Sequence, residues 1–244
     1  MGAVMKRGTM KSIYVLLTIV ILAAGGCSSS HIASENDANY HNKMGMAFLG
    51  EGKIQLAYVE FQKAMLKDPD NKDVAYNLGL TCFQLEDYEN SKKYFLKAVS
   101  LAPDFPDAYN NLGVTYMQLG QWQPAADSFR RALANPLYGT PELAFYSLGM
   151  ALYRMGLYEK AIDSFKDSVR RDRAFSLPYY GMALAYNKLG RYGEASELMD
   201  KAIQTDTDYK GDRVKKTANL RERLYTAKGE EEKDLRDFLE IMQY

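Results

Sequence analysis

The feature of this sequence that most constrains its fold is a pattern of small and aromatic residues that returns every 34 residues. In the first copy, a Met44-Gly45 pair is followed by Ala57, Phe61 and Ala64. The later copies have Leu78-Gly79, Ser91, Phe95 and Ala98, then Leu112-Gly113, Ala125, Phe129 and Ala132, then Leu148-Gly149, Ala161 and Phe165. A fixed period of this length predicts stacked repeats, in which each unit buries its apolar face only against its neighbours.

Each unit has the pattern of two antiparallel helices. Small residues at fixed spacing, such as Gly113 and Ala125, let two helices approach closely. The turn between the helices falls at a glycine such as Gly52, although the second unit has Glu86 there, and Pro69 ends the first unit's second helix. The motif resembles the tetratricopeptide repeat. The resemblance implies an all-α superhelix of five repeats, at residues 38–71, 72–105, 106–141, 142–175 and 176–209.

The final segment, residues 210–244, departs from the repeat consensus but remains helical in pattern. Its apolar residues fall in two groups, which are Val214, Leu220 and Leu224, and then Leu235, Phe238, Leu239 and Met242. We expect a degenerate sixth repeat or a capping helix pair, because a terminal repeat needs a polar outer side. A docking helix for a partner is the alternative.

The N-terminus predicts a leader peptide at residues 1–26. Three basic residues precede an apolar run, Ile13 to Ala24, that is too short to span a bilayer and is typical of a signal peptide. The run leads into AAGGC, which resembles the lipobox of bacterial lipoproteins. The resemblance implies cleavage before Cys27 and lipidation of that cysteine.

Ser28 follows the candidate lipidation site. In Gram-negative lipoproteins, a serine in this position permits transfer to the outer membrane, which implies a lipid-anchored protein that faces the periplasm. Several acyl chains anchor a protein far more firmly than one. Residues 27–37 would then form the lipidated cysteine and a flexible tether. A plain secretory signal followed by an incidental cysteine is the alternative.

Composition and motifs favour a protein without catalytic chemistry. Three of the 31 basic residues lie in the leader, which leaves 28 against 31 acidic residues and gives no sign of a nucleic-acid partner. His31 and His41 have no catalytic or metal-ligating partner at motif spacing. With Cys27 lipidated, Cys82 is the one remaining thiol, so no intramolecular disulfide can form. We expect no enzymatic activity, cofactor, metal or small-molecule substrate.

Binding is the remaining function, and the resemblance implies where it occurs. In a tetratricopeptide superhelix the first helices of the repeats line a concave groove, with positions 2, 5, 6, 9, 12 and 13 of each repeat facing it. Positions 9 and 12 form an apolar stripe here, flanked by tyrosines and asparagines. The candidate groove residues are Met46, Leu49, Tyr76, Asn77, Leu80, Phe83, Asn111, Val114, Met117, Tyr146, Met150, Tyr153, Tyr180 and Leu184.

An exposed apolar stripe would suit an amphipathic helix or an extended apolar segment of a protein. The Lys and Arg residues that grip chaperone C-termini in related domains are absent from positions 9 and 12. The alternative is that some of the stripe packs between adjacent helices and never reaches solvent.

The spacing has one irregularity, because Gly113 and Gly149 are 36 residues apart. The additional residues fall where Pro136 and Pro141 bracket Leu137-Tyr138. This junction, together with the lipobox and the repeats, resembles the PilF/PilW family of type IV pilus lipoproteins. The resemblance implies a pilotin, which binds secretin subunits and assists their localisation and multimerisation. An ordinary loop insertion is the alternative for the junction, and a general periplasmic scaffold that recruits peptidoglycan hydrolases or other envelope proteins is the alternative for the function.

Overall fold

The computed structural model describes residues 37–244, which form twelve α-helices and no β-strand. The first ten are α1 (Ala38–Gly50), α2 (Ile54–Lys67), α3 (Lys72–Gln84), α4 (Tyr88–Leu101), α5 (Pro106–Gln118), α6 (Trp122–Leu133), α7 (Pro141–Arg154), α8 (Tyr158–Arg171), α9 (Leu177–Lys188) and α10 (Tyr192–Thr205). Two more, α11 (Arg213–Leu224) and α12 (Gly229–Ile241), follow. None of these helices is long and apolar enough to cross a bilayer. The leader, Cys27 and Ser28 lie outside the described residues.

The first ten helices form five antiparallel pairs that stack in chain order. Each odd-numbered helix packs against the helix that follows it, and each even-numbered helix against the first helix of the next pair. The prediction of an all-α tetratricopeptide superhelix is confirmed. In the fourth unit, the first helix α7 begins at Pro141, one residue before the predicted boundary at residue 142.

The two helices of a repeat meet where a glycine faces a phenylalanine ring. A Cβ atom on Gly113 would lie 2.7 Å from Cε1 of Phe129, a ring that is fully buried. The same contact recurs at Gly45 and Phe61, at Gly79 and Phe95, and at Gly149 and Phe165. The predicted approach of small residues also occurs, since Ser91 Oγ donates a 2.9 Å hydrogen bond to the carbonyl oxygen of Gly79. The fixed spacing of the repeat therefore places two contacts between its helices, the glycine against the phenylalanine ring and the small residue against the glycine carbonyl.

The turn inside each repeat requires a left-handed backbone. Gly120 adopts it with φ +68°, and the equivalent glycines of three other repeats do the same. In the second repeat the position is Glu86, which has φ +59°. A side chain at positive φ is unfavourable, so this turn is strained where the others are not.

The irregular junction between the third and fourth repeats has one buried and one exposed residue. Tyr138 is buried against Ala132 and Ala144. Its neighbour Leu137 is 89% exposed. The two additional residues thus insert a tyrosine between the repeats and leave a leucine on the surface.

The C-terminal helix pair does not continue the stacking of the repeats. Helix α12 packs mainly against α11 and α9, and both C-terminal helices make only slight contact with α10. Leu220, Leu235 and Ile241 join the core of the third to fifth repeats, so the pair covers the end of that core. Val214, expected on an apolar face, is 81% exposed.

Candidate partner-binding groove

The stripe of candidate groove residues becomes progressively more buried along the superhelix. Met46, in the first repeat, is 55% exposed. Ten residues are half-buried, namely Leu49, Tyr76, Asn77, Leu80, Phe83, Asn111, Val114, Met117, Tyr146 and Met150. Tyr153, Tyr180 and Leu184 are buried, with exposures of 6%, 6% and 2%. The groove is therefore most exposed in the first repeat, half-buried through the second and third, and partly covered over the last two.

Asparagines at position 6 connect one repeat to the next. Asn77 Nδ2 donates a 3.0 Å hydrogen bond to Asn42 Oδ1 in the preceding repeat. Asn111 Nδ2 donates one of 2.9 Å to the hydroxyl oxygen of Tyr76. Part of the hydrogen-bonding capacity of these amides therefore fixes the position of one repeat relative to the next.

Helix α12 closes the groove by lying on the concave positions of the fourth and fifth repeats. Arg154 Nη1 donates a 2.8 Å hydrogen bond to Asp234 Oδ1, and its second Nη binds the other carboxylate oxygen. Both side chains are more than four-fifths buried. Burial alone would lower the pKa of Arg154, but the contact with Asp234 outweighs it and the pKa is raised. The ion pair holds α12 against the end of α7.

Aromatic and amide contacts continue this attachment. The rings of Tyr180 and Phe238 meet edge to face with centroids 5.7 Å apart. Asn187 Nδ2 donates to Glu240 Oε2 at 3.4 Å. The sequence places Tyr153, Tyr180 and Leu184 along an open groove, but α12 and the helices beside it take the space that a ligand would need. In this arrangement these three residues are inaccessible to a partner.

A cavity of about 320 Å³ remains between the closed half of the groove and the C-terminal helices. Four predicted groove residues line it, namely Tyr146, Met150, Tyr180 and Leu184. Lys216 also faces it, with Nζ 4.2 Å from the ring centroid of Tyr180 and 4.3 Å from that of Tyr209. Burial lowers the pKa of Lys216 and raises that of Tyr146 to about 12. The tyrosine is therefore a neutral hydrogen-bonding group at any physiological pH.

The role of Arg154 and of the acidic side of α12 was not foreseen from the sequence. The sequence does contain a feature that could indicate this docking. Asp234 and Asp237 lie directly beside the apolar residues Leu235 and Phe238 of the C-terminal helix. Basic residues at position 13 of two repeats, Arg154 and Lys188, complement them. Charge complementarity between a tail and a groove can therefore indicate internal docking.

His41 also lies in a structural rather than a catalytic setting. Its Nδ1 is 2.7 Å from Glu60 Oε2, and Glu60 also accepts a hydrogen bond from Lys63. Burial opposes ionisation of Glu60, but these two hydrogen bonds lower its pKa overall. No group of three His, Cys, Asp or Glu side chains between residues 37 and 244 is arranged to hold a metal ion.

Family models identify the repeats in three parts of the chain. A model described as a TPR repeat matches residues 79–120, and models described as tetratricopeptide repeats match residues 106–135 and 146–210. These matches run from the second repeat to the end of the fifth. No curated protein sequence matches the chain.

Solved structures resemble the chain over most of its length. The MamA protein is 25% identical with a TM-score of 0.65, covering 69% of this chain and 91% of its own. YrrB, described as a TPR protein with an unusual peptide-binding site, is 22% identical with a TM-score of 0.65, covering 76% and 95%. PilW, described as a widely conserved type IV pilus biogenesis factor, is 19% identical with a TM-score of 0.65, covering 83% and 98%. What these structures share with the chain is the fold.

Proposed function

Because this chain is a tetratricopeptide repeat protein, a scaffold of the kind that binds other proteins, we propose that it holds an apolar segment of a protein partner in the open half of its groove. The partner is a secretin subunit of a type IV pilus. The protein acts as an outer-membrane lipoprotein of the pilotin type, which brings secretin subunits to the membrane and assists their multimerisation. It carries out no chemical reaction on its partner.

One observation carries the proposal, namely the apolar stripe on the first three repeats, which remains partly accessible to solvent. Met46 is 55% exposed, and Leu80 and Met117 continue the stripe in the next two repeats as half-buried side chains. Contiguous apolar surface of this kind marks protein-binding sites. Methionine adapts to irregular apolar partners because its side chain is flexible and polarisable.

The choice of partner and location rests on similarity and on the N-terminus. The fold resembles that of PilW over 83% of the chain. The AAGGC sequence ends at Cys27, and Ser28 follows it. Lipid at Cys27 would anchor the protein to the membrane, and the groove would bind the secretin subunit.

The anchor is tested by Cys27→Ala. We expect this variant to lose incorporation of radiolabelled palmitate and to leave the outer-membrane fraction, because no other cysteine lies in the leader. Ser28→Ala serves as the matched control and should remain lipidated. Outer-membrane fractionation that is unchanged by Cys27→Ala would refute the anchor.

The groove is tested by Met46→Glu and Leu80→Glu, with Leu96→Glu as the control. Leu96 is 42% exposed and lies on α4, the second helix of its repeat. A charge on the stripe costs the fold little where the side chain is exposed, but it leaves a desolvated charge against an apolar ligand. We expect the two groove variants to reduce detergent-resistant secretin multimers at normal lipoprotein level, and the control to leave them unchanged.

A photocrosslinking residue at position 46 identifies the partner directly. Crosslinks to a secretin subunit support the proposal. Crosslinks to a peptidoglycan hydrolase, with secretin multimers intact in all variants, would replace it with the general scaffold.

A further inference from the structure

The second helix of the first repeat has an unusual exposed face. Leu56, Val59 and Leu66 of α2 are 49%, 47% and 79% exposed. Their spacing of three and seven residues places them along one side of the helix. Lys63 lies in the same row.

The other repeats show that these positions are normally polar or small. The equivalent residues are Asn90, Lys93 and Ser100, then Pro124, Asp127 and Ala134, then Lys160, Asp163 and Arg170, then Glu194, Glu197 and Gln204. None of the twelve is a large apolar residue. The exposed leucines and valine of α2 are therefore specific to the first repeat and are not a requirement of the fold.

Within the described residues, no repeat precedes the first one. Tyr40, Met44 and Phe48 of α1 are half-buried, whereas their counterparts 34 residues later are fully buried by the preceding helix pair. These three side chains line a cavity of about 560 Å³ together with Leu66. One surface thus combines the α2 row of Leu56, Val59 and Leu66 with Tyr40, Met44 and Phe48 at the end of the superhelix. We name it the N-terminal apolar face.

The tether determines what can lie against this face. Ten residue steps separate Cys27 from Asp37, and fully extended they span at most about 36 Å. A flexible chain of that length has a root-mean-square span of roughly 17 Å. Helix α1 starts at Ala38, and Tyr40 shares a cavity with Leu66, so the tether enters the fold beside the N-terminal apolar face. A lipid at Cys27 would hold this end of the superhelix close to the membrane.

The charges around the face suit a lipid surface. Lys63 and Lys67 flank Leu66, and long basic side chains beside apolar ones are typical of interfacial helices. The nearby carboxylate of Glu60 accepts a hydrogen bond from Lys63 and forms another with His41. We propose that the N-terminal apolar face docks on the membrane that carries the lipid anchor, with Leu56, Val59 and Leu66 at the level of the headgroups. This inference rests on the proposed anchor at Cys27.

An environment-sensitive fluorophore distinguishes membrane contact from exposure to water. Leu66→Cys and Ser100→Cys occupy equivalent positions in successive repeats, and each is labelled in the full lipidated protein, where Cys82 is buried. The proteins are incorporated into vesicles of phosphatidylethanolamine and phosphatidylglycerol. We expect a blue shift, loss of iodide quenching and quenching by a lipid-attached spin label at position 66, and none of these at position 100.

A triple variant provides a second measurement. Leu56→Asn, Val59→Lys and Leu66→Ser together transplant the second repeat's residues onto α2 at exposed positions. Hydrogen exchange in α2 should slow on vesicles in the parent protein and should not slow in the variant, while both remain attached through the lipid.

The possible failures are distinguishable. A probe at position 66 that stays exposed to iodide, on protein that carries palmitate and floats with vesicles, would overturn the docking inference and leave the anchor intact. Protection that persists without lipid and depends on protein concentration would assign the face to a second copy and overturn membrane docking. Absence of palmitate labelling would overturn anchor and docking together.

Discussion

The contact between Gly113 and Phe129 predicts that these two positions are energetically coupled. Alanine favours a helix over glycine by about 0.8–1.0 kcal/mol, and overpacking a core costs about 1–3 kcal/mol. A Cβ atom at position 113 would lie within 2.9 Å of three ring atoms of Phe129, and that ring is fully buried. We therefore expect Gly113→Ala to lower the free energy of unfolding by about 1 kcal/mol.

The second half of the cycle is Phe129→Leu, which removes the ring atoms Cε1 and Cζ. Alone, this change should cost about 1–2 kcal/mol through lost burial, since complete truncation of a buried phenylalanine costs about 3–5 kcal/mol. In the Phe129→Leu background, two of the three ring atoms closest to position 113 are absent. Gly113→Ala should then be neutral or stabilising, which gives a coupling of about 1–2 kcal/mol.

Urea unfolding followed by far-ultraviolet circular dichroism measures all four proteins of the cycle. Gly50→Ala is the matched control, because Gly50 lies at the end of α1 and its added Cβ would meet no atom within 4 Å. It should be neutral or slightly stabilising. If Gly113→Ala changes the free energy of unfolding equally with and without Phe129→Leu, the hypothesis that Gly113 is required by its contact with Phe129 is refuted.

Three further predictions concern strain, the C-terminal helix and the thiol. Glu86→Gly should raise the free energy of unfolding by about 1 kcal/mol, because it relieves the left-handed strain of the turn; an unchanged urea midpoint would contradict this. Arg154→Ala should accelerate hydrogen exchange in α12 on the order of 100-fold, since it leaves Asp234 buried without its partner and costs about 3 kcal/mol locally; uniform exchange across the chain would contradict it. Burial, reinforced by Asp87, raises the pKa of Cys82 to about 12, so iodoacetamide should alkylate it at neutral pH only after unfolding, as mass spectrometry can verify.

The regular part of the fold could be predicted because each repeat restates the same local constraints. Gly113 and Phe129 recur at a fixed spacing that only a helical hairpin satisfies, and the left-handed turn at Gly120 follows from the absence of a side chain. Even the substituted turn at Glu86 keeps its geometry, since stacking on both sides determines the backbone there. Periodicity thus reveals contacts that are local in sequence.

The site could be predicted only in part because its closure depends on contacts distant in sequence. Arg154 and Asp234 are 80 residues apart, and α12 belongs to a segment that does not follow the repeat period. The prediction of the stripe requires that every repeat presents the same concave positions to solvent. Tyr180 and Leu184 satisfy that pattern and are nevertheless buried, because the protein's own C-terminal helix lies on them.

Under the proposed function, the placement of α12 would make the groove selective for the length of its ligand. A segment that follows the stripe from Met46 reaches Met117 and then meets α12 on the fourth repeat. Additional residues at that end add no contact unless they displace α12 and break the Arg154–Asp234 pair. Affinity should therefore increase with ligand length over three repeats and then level off. Under the proposed function, the C-terminal helix pair would limit the length of apolar segment that gains affinity in the groove.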